Sequence, residues 1–481
     1  MEKRSENMIP ARVALIPFVV LLLMLVFVIR YFGSSALDGA SQVSLLVASA
    51  VCVAIAMIVY KVQWHVLETS LVDGVRNVSS AIIMLLLIGG ISGTWMLSGV
   101  VPTLIYYGLQ IINPKVFLLT CCVISALVSL LVGSSWTTIA TIGIALVGIG
   151  QTQGFEPHWI AGAVISGAYF GDKISPLSDT TILASSSAGA ELFSHIRYML
   201  ITTVPAFAVS LIIFLVVGFR TTPADDSLIA DFLQALQSSF NISPWLLVVP
   251  LLTGVLIAFR LPALITLFFS MMFAVVAMLV CQPQVIQVVA GSTALSFADG
   301  FVAAFRAIYG HVAVDTGNDM LNTLVTTRGM TGMLNTIWLI ISAVCFGGVM
   351  LGSGMLQSIT RMIIQHIRRR AAVVSSTVFT GLFCNVCLAD QYLSIILTNS
   401  LFKDFYEKKG YESRLLSRST EDSATVTGVL IPWNSCGMTQ ATVLNVATLS
   451  YLPYCFFNIL SPIMSIIVAV IGYKIKKPSV E

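Results

Sequence analysis
Charge is scarce in this chain. Asp, Glu, Lys and Arg make up 10% of it, where soluble domains carry about 25%, and 25 basic against 22 acidic residues leave no excess with which to hold nucleic acid. Histidine is sparse too: His65, His158, His195, His311 and His366 are scattered without the spacing of metal ligands. The nine cysteines are odd in number and lie almost all in apolar runs, which fits packing and not a disulfide framework. Cys384 and Cys387 spell CxxC, but no second pair accompanies them. A phosphate-binding loop, a dinucleotide fingerprint and a nucleophile elbow are all missing, so neither enzyme chemistry nor a cofactor is expected.

What the chain has is apolar length. Hydrophobic residues make up 57% of it, in repeated runs of about 20, the length a helix needs to cross a bilayer. No alternating ten-residue barrel pattern occurs, so the expected class is an all-α polytopic membrane protein. The first run, Val13 to Ile29, follows Lys3, Arg4 and Arg12 and is read as a retained span and not a cleaved signal.

Two halves resemble each other. GTWMLSGVV (93–101) matches GGVMLGSGML (347–356), and at nearly the same offset VGSSWTT (132–138) falls opposite CLADQYL (387–393). The expected organisation is two repeats, 1–240 and 241–481. Crossings are expected near 13–30, 42–60, 81–98, 159–190 and 198–219, then near 245–260, 262–281, 332–352, 420–447 and 453–473. Five crossings per repeat is odd, so the second repeat inverts. The runs 116–150 and 372–402 have polar middles and fit re-entrant hairpins. With both termini cytoplasmic, nineteen of the 25 basic residues fall inside: Lys3, Arg4, Arg12, Lys61, Arg76, Arg197, Arg260, the group from Arg361 to Arg418, Lys474, Lys476 and Lys477. Arg30, Lys115, Arg220, Arg306 and Arg328 fall outside, and Lys173 stays in the membrane.

GDKISPLSDTT (171–181) is the anomaly within this apolar background. Ionisable groups inside a bilayer are costly and usually functional. Pro176 interrupts any helix through the segment and frees carbonyl oxygens. With the carboxylates of Asp172 and Asp179 and the hydroxyls of Ser175, Ser178 and Thr180, they make a set of hard oxygen ligands for a small cation such as Na+. The hairpin tips add Ser134, Ser135, Thr137 and Asp390. The second-half break offers Asp422, Thr425, Thr427, Asn434 and Ser435 around Pro432. Glu421 and Asp422 follow Arg418, and pairing with it or facing water is the simpler expectation for them. Lys173 is expected either to tune Asp172 or to form a structural pair with it.

GAYFGDKISPLSDTTILAS, LSRSTEDSATVTGVLIPWNSCG and TGNDMLNTLVTTRGMTGM together resemble the NhaC-type sodium/proton antiporter family, over nearly the whole chain. The resemblance implies the ion-transporter superfamily fold, with inverted repeats and hairpins, an elevator motion and a homodimer in the plasma (inner) membrane. It also implies Asp172, Asp179, Asp390 and Asn434 as site residues. The chain has Ile182 where the family frequently has Asn, which removes one oxygen ligand, and Ser185 where Pro is frequent. The expected function is exchange of cytoplasmic Na+ for external H+ through a carboxylate site at the bilayer midplane, with small ions and the lipid bilayer as partners. Ion-coupled organic-anion exchange, such as malate for lactate, is the alternative.

Overall fold
The computed structural model describes residues 9–32, 39–221, 224, 226–259, 261–292, 295–364 and 370–475. Lys3, Arg4, Arg260, Arg368, Arg369, Lys476 and Lys477, used above to orient the chain, lie outside them, and so does the side chain of Arg361. The described chain is helical throughout, apart from one isolated antiparallel bridge between Val312 and Thr327. Among the described residues eight helices are long and apolar enough to cross a membrane, or ten if two bent pairs each count once. The bent pairs are Ser227–Ser239 with Pro244–Ala258, at 86°, and Thr448–Tyr454 with Phe456–Ile471, at 56°. This is a polytopic all-α membrane protein. Side chains such as Val26, Phe27, Ile212, Phe219, Leu251 and Val280 are exposed on the outer helices, where lipid and not water is their natural solvent.

The set of crossings differs in detail from the one expected. The span expected at 81–98 is the end of a 34-residue helix, Trp64–Leu97. Pro114–Val132 and Arg370–Leu388 are 19 residues each and long enough to cross, because the polar middles that suggested hairpins lie beyond their ends. The segments at 159–190 and 420–447 are interrupted, as expected of broken helices at Pro176 and Pro432. The first is Pro157–Ile174 followed by Asp179–Ala188. The second runs through Ser413–Thr420, a π-helical turn at Glu421–Thr425, a short 3-10 turn at Gly428–Leu430, and then Ser435–Leu444.

Four breaks follow one pattern. Gly133 takes a left-handed φ of 70° and Ser134 caps the helix that starts at Ser135, while 256 positions later Ala389 takes a φ of 55° and Asp390 caps the helix that starts at Gln391. Ser178 caps Asp179–Ala188, and Asn434, again 256 positions on, caps Ser435–Leu444. Both of these ten-residue helices end in a left-handed residue, Gly189 and Asn445. Ala389 adopts without glycine's freedom a conformation that costs roughly 1–2 kcal/mol, and the Ser435 amide donates to its carbonyl at 2.8 Å.

Small residues bring the first two breaks together. Gly167 and Gly171 lie one turn apart on Pro157–Ile174, and a Cβ at either would meet the carbonyl oxygen of Cys122 at 2.0 Å or of Ala126 at 2.2 Å. Such close backbone approach is what small residues permit between membrane helices. Ser129 Oγ donates to the Ala168 carbonyl at 2.6 Å across the same seam. The packing sets Asp172, next after Gly171, against the helix that begins at Ser135.

Candidate functional site
Asp172 is bound where that helix begins. Its Oδ2 accepts from the Ser135 amide at 3.1 Å and the Ser135 hydroxyl at 2.7 Å, a carboxylate meeting the donors and positive pole of a helix N-terminus. Ser175 Oγ donates to the Leu130 carbonyl at 2.8 Å and so ties the break to the helix behind Ser135. Ser178 and Thr180 share a hydrogen bond at 2.9 Å. On the second-half side, Asp390 Oδ1 accepts from the Leu393 amide at 3.0 Å and its Oδ2 from Ser435 Oγ at 3.2 Å.

These groups surround one cavity of about 690 Å³. Asp172, Ser178, Asp179, Thr180 and Asp390 line it, with Ser134, Thr137, Gln391 and Tyr392. Asn77 from Trp64–Leu97 and the Leu261–Leu264 stretch complete the wall. Among the described residues no Lys or Arg side chain lines it; Arg260, next to Leu261, lies outside them. Among the described residues no group of three or more His, Cys, Asp or Glu lies close enough to hold a metal ion. The three aspartates therefore share a space without forming one cage, and a cation there would draw its remaining oxygens from hydroxyls and carbonyls. Ser135 reaches the cavity through Asp172. Asn434 stands apart: its amide donates to the Asn385 carbonyl at 3.1 Å and its oxygen caps the Cys436 amide at 3.0 Å. Nothing in the sequence marked Asn77, Gln391 or Tyr392, because only packing brings them to the same wall.

Lys173 turns away from its neighbour. Its ammonium, fully buried, donates to Asp422 Oδ1, 249 positions along the chain, and to Ser461 Oγ at 2.9 Å. Thr202 and Ser461 also donate to Asp422 Oδ1, at 3.1 and 3.2 Å. The structural pair expected with Asp172 is thus made with Asp422. Glu421 and Asp422, expected at water or against Arg418, are fully buried, and Arg418 Nε lies 3.9 Å from Asp422 Oδ2. Arg418 packs its guanidinium over Tyr198, 4.6 Å from the ring centre.

An interrupted helix pair, a carboxylate-lined cavity and a buried counter-charged cluster suit an ion carrier, and comparison with known proteins names the kind. The Na+/H+ antiporter family matches residues 2–198 and 167–473. The chain belongs to the Na+/H+ antiporter family. It is 36% identical over 420 residues to the "Na(+)/H(+) antiporter NhaC" of Alkalihalophilus pseudofirmus, covering 87% of each chain. It is 34% identical to the "Malate-2H(+)/Na(+)-lactate antiporter" of Bacillus subtilis, covering 84% of each. To the "Arginine/ornithine antiporter ArcD" of Halobacterium salinarum it is 32% identical, covering 87% of this chain and 84% of that one. The protein is thus a secondary antiporter of the NhaC kind, a transporter and not an enzyme, within a family whose named members exchange different solutes.

Proposed function
We propose that this antiporter exchanges cytoplasmic Na+ for external H+, with Asp172 as the carboxylate that holds either ion and Asp179, Ser178, Thr180 and Asp390 as its surroundings. The observation that carries this is the shared cavity, with three aspartates on its wall and, among the described residues, no basic side chain. A carboxylate able to hold a proton or a sodium ion, but not both, couples two opposed flows without further machinery. Malate-for-lactate exchange is the weaker reading: an organic anion needs a free cation or helix N-terminus, and at the starts of Asp179–Ala188 and Gln391–Lys408 on this wall Asp179 and Asp390 already place carboxylates. Lys173 is committed to Asp422, and Asp172 already occupies the Ser135 terminus.

The proposal includes two inverted repeats, 1–240 and 241–481, whose hairpin tips and interrupted helices meet near the midplane. The backbone pattern repeated at 256 positions supports it. With both termini cytoplasmic, the wall residues Asn77 and Leu261 lie toward the inside, so the acid cavity opens to the cytoplasm. A second cavity, of about 640 Å³ and lined by Gln151, Arg328 and Asn445, lies toward the outside. Cys probes at Gly317 and Gly410 in a Cys-less background then label from opposite faces of the cell; labelling from one face overturns the inversion. A homodimer belongs to the same reading. The direct test is purified protein in liposomes carrying a pH gradient. Added Na+ is expected to dissipate the gradient, whereas a gradient that responds to malate or lactate but not to Na+ alone overturns the function.

A further inference from the structure
Glu421 has no place in the site just described. It is fully buried, and among the described residues neither carboxylate oxygen has a hydrogen bond of good geometry, the Thr425 hydroxyl being the donor near enough to act on it. Asn458 Oδ1, whose own amide donates to the adjacent Val426 carbonyl, is also buried without a partner among the described residues. A bare carboxylate is among the costliest groups to bury, and π-helical turns recur at functional positions. The ionisable groups acting on Glu421 are Lys173, Asp172 and Asp422, with Arg418 one turn before it. Of the further helices packed on this turn, Phe456–Ile471 carries no ionisable side chain and Asp179–Ala188 only Asp179. Arg370–Leu388 brings the thiols of Cys384 and Cys387 beyond Arg370, and Gln391–Lys408 brings Tyr392 near its start and Lys403, Asp404, Tyr406, Glu407 and Lys408 near its end.

We infer that Glu421 is a second proton-carrying carboxyl, protonated and deprotonated once per transport cycle, so that the exchange moves one proton more than the cavity aspartates carry. This rests on the Na+/H+ reading above. The coupling is built into the chain. Asp172 in the cavity is one peptide bond from Lys173, Lys173 holds Asp422, and Asp422 is one peptide bond from Glu421. A cation arriving at Asp172 adds positive charge at one end of this series and favours release of the Glu421 proton at the other. By linkage, protonation of Glu421 disfavours the cation to the same degree.

Two measurements test it. In liposomes the ratio of H+ to Na+ moved is read from the Na+ gradient that just balances an imposed pH gradient at fixed membrane potential. Glu421→Gln keeps the shape of the protonated acid, and its ratio is expected to fall by one proton per cycle while Na+ exchange persists; Glu421→Asp restores the ratio. An unchanged ratio in Glu421→Gln overturns the inference. The wild type supplies the second measurement, which decides should the variant be inactive or misfolded. A hydrophobic carbodiimide, which attacks protonated carboxyls, is expected to label Glu421 near neutral pH, by peptide mass spectrometry, and less as pH rises or Na+ is added. No labelling, or labelling indifferent to pH, overturns the inference. Wild-type protein that moves no protons with Na+ but still labels Glu421 in this pH-dependent way sinks the antiport reading and not the protonation of Glu421.

Discussion

Asp172 and Lys173 are neighbours in sequence and belong to different regions. Asp172 lines a cavity beside two further aspartates and is held by one serine at a helix start. Lys173 is sealed in a dry cluster with Asp422, Ser461 and Thr202, from three other helices. The cavity is acidic and open, with no basic side chain among the described residues to neutralise it, so its chemistry is available to an incoming cation. The cluster is charged and closed, so its charges are met within the protein. On the function proposed above, the same residue types bind the transported ion in one place and pair within the protein in the other, and solvent access is what separates them.

Substitutions that swap these consequences break the comparison most directly. Asp172→Asn keeps the shape and its bonds to Ser135 but removes the titratable charge. Na+-driven proton exchange is expected to fall to background while the protein remains monodisperse in detergent; full exchange from well-folded Asp172→Asn would make Asp390 the next candidate. Lys173→Ala leaves Asp422 buried without its ammonium, and stripping one partner from a buried pair costs about 3–5 kcal/mol. The expected readout is a lower Tm and poor expression; a wild-type Tm in Lys173→Ala contradicts the architectural role.

Smaller effects sharpen the contrast. Gly171→Ala pushes a Cβ onto the Ala126 carbonyl, and overpacking of this kind costs about 1–3 kcal/mol. It also shifts Asp172 off Ser135, so the half-saturating Na+ concentration should rise together with the loss of Tm. Ser435→Ala removes one hydrogen bond to Asp390, a change of about 1 kcal/mol, seen as a Tm lower by a few degrees with exchange retained. Asp179→Asn is expected to change stability least of all, since its side chain is exposed to the cavity; a raised half-saturating Na+ concentration marks it as a ligand, and wild-type kinetics as a bystander.

Much of this was legible in the chain before any packing was known. Runs of about 20 apolar residues can only be helices in a bilayer, because an unpaired backbone has no water there to turn to. The interruptions at Pro176 and Pro432 fall where the Pro157–Ile174 helix ends and before the Ser435–Leu444 helix begins, and the polar tips at Ser134 and Asp390 cap the helices that follow them. These features depend on bonding within a few residues, and sequence reports such bonding directly. Asn434 was legible as a break residue and not as a cap committed to Asn385. The partner of Lys173 was hidden. Adjacency favoured Asp172, but successive side chains on a helix point about 100° apart, so one faced the cavity and the other a helix 249 positions away. Sequence by itself determined the helical class, the breaks and the family; only tertiary packing decided which buried charges meet, because that depends on close seams such as Gly167 and Gly171 against Cys122 and Ala126.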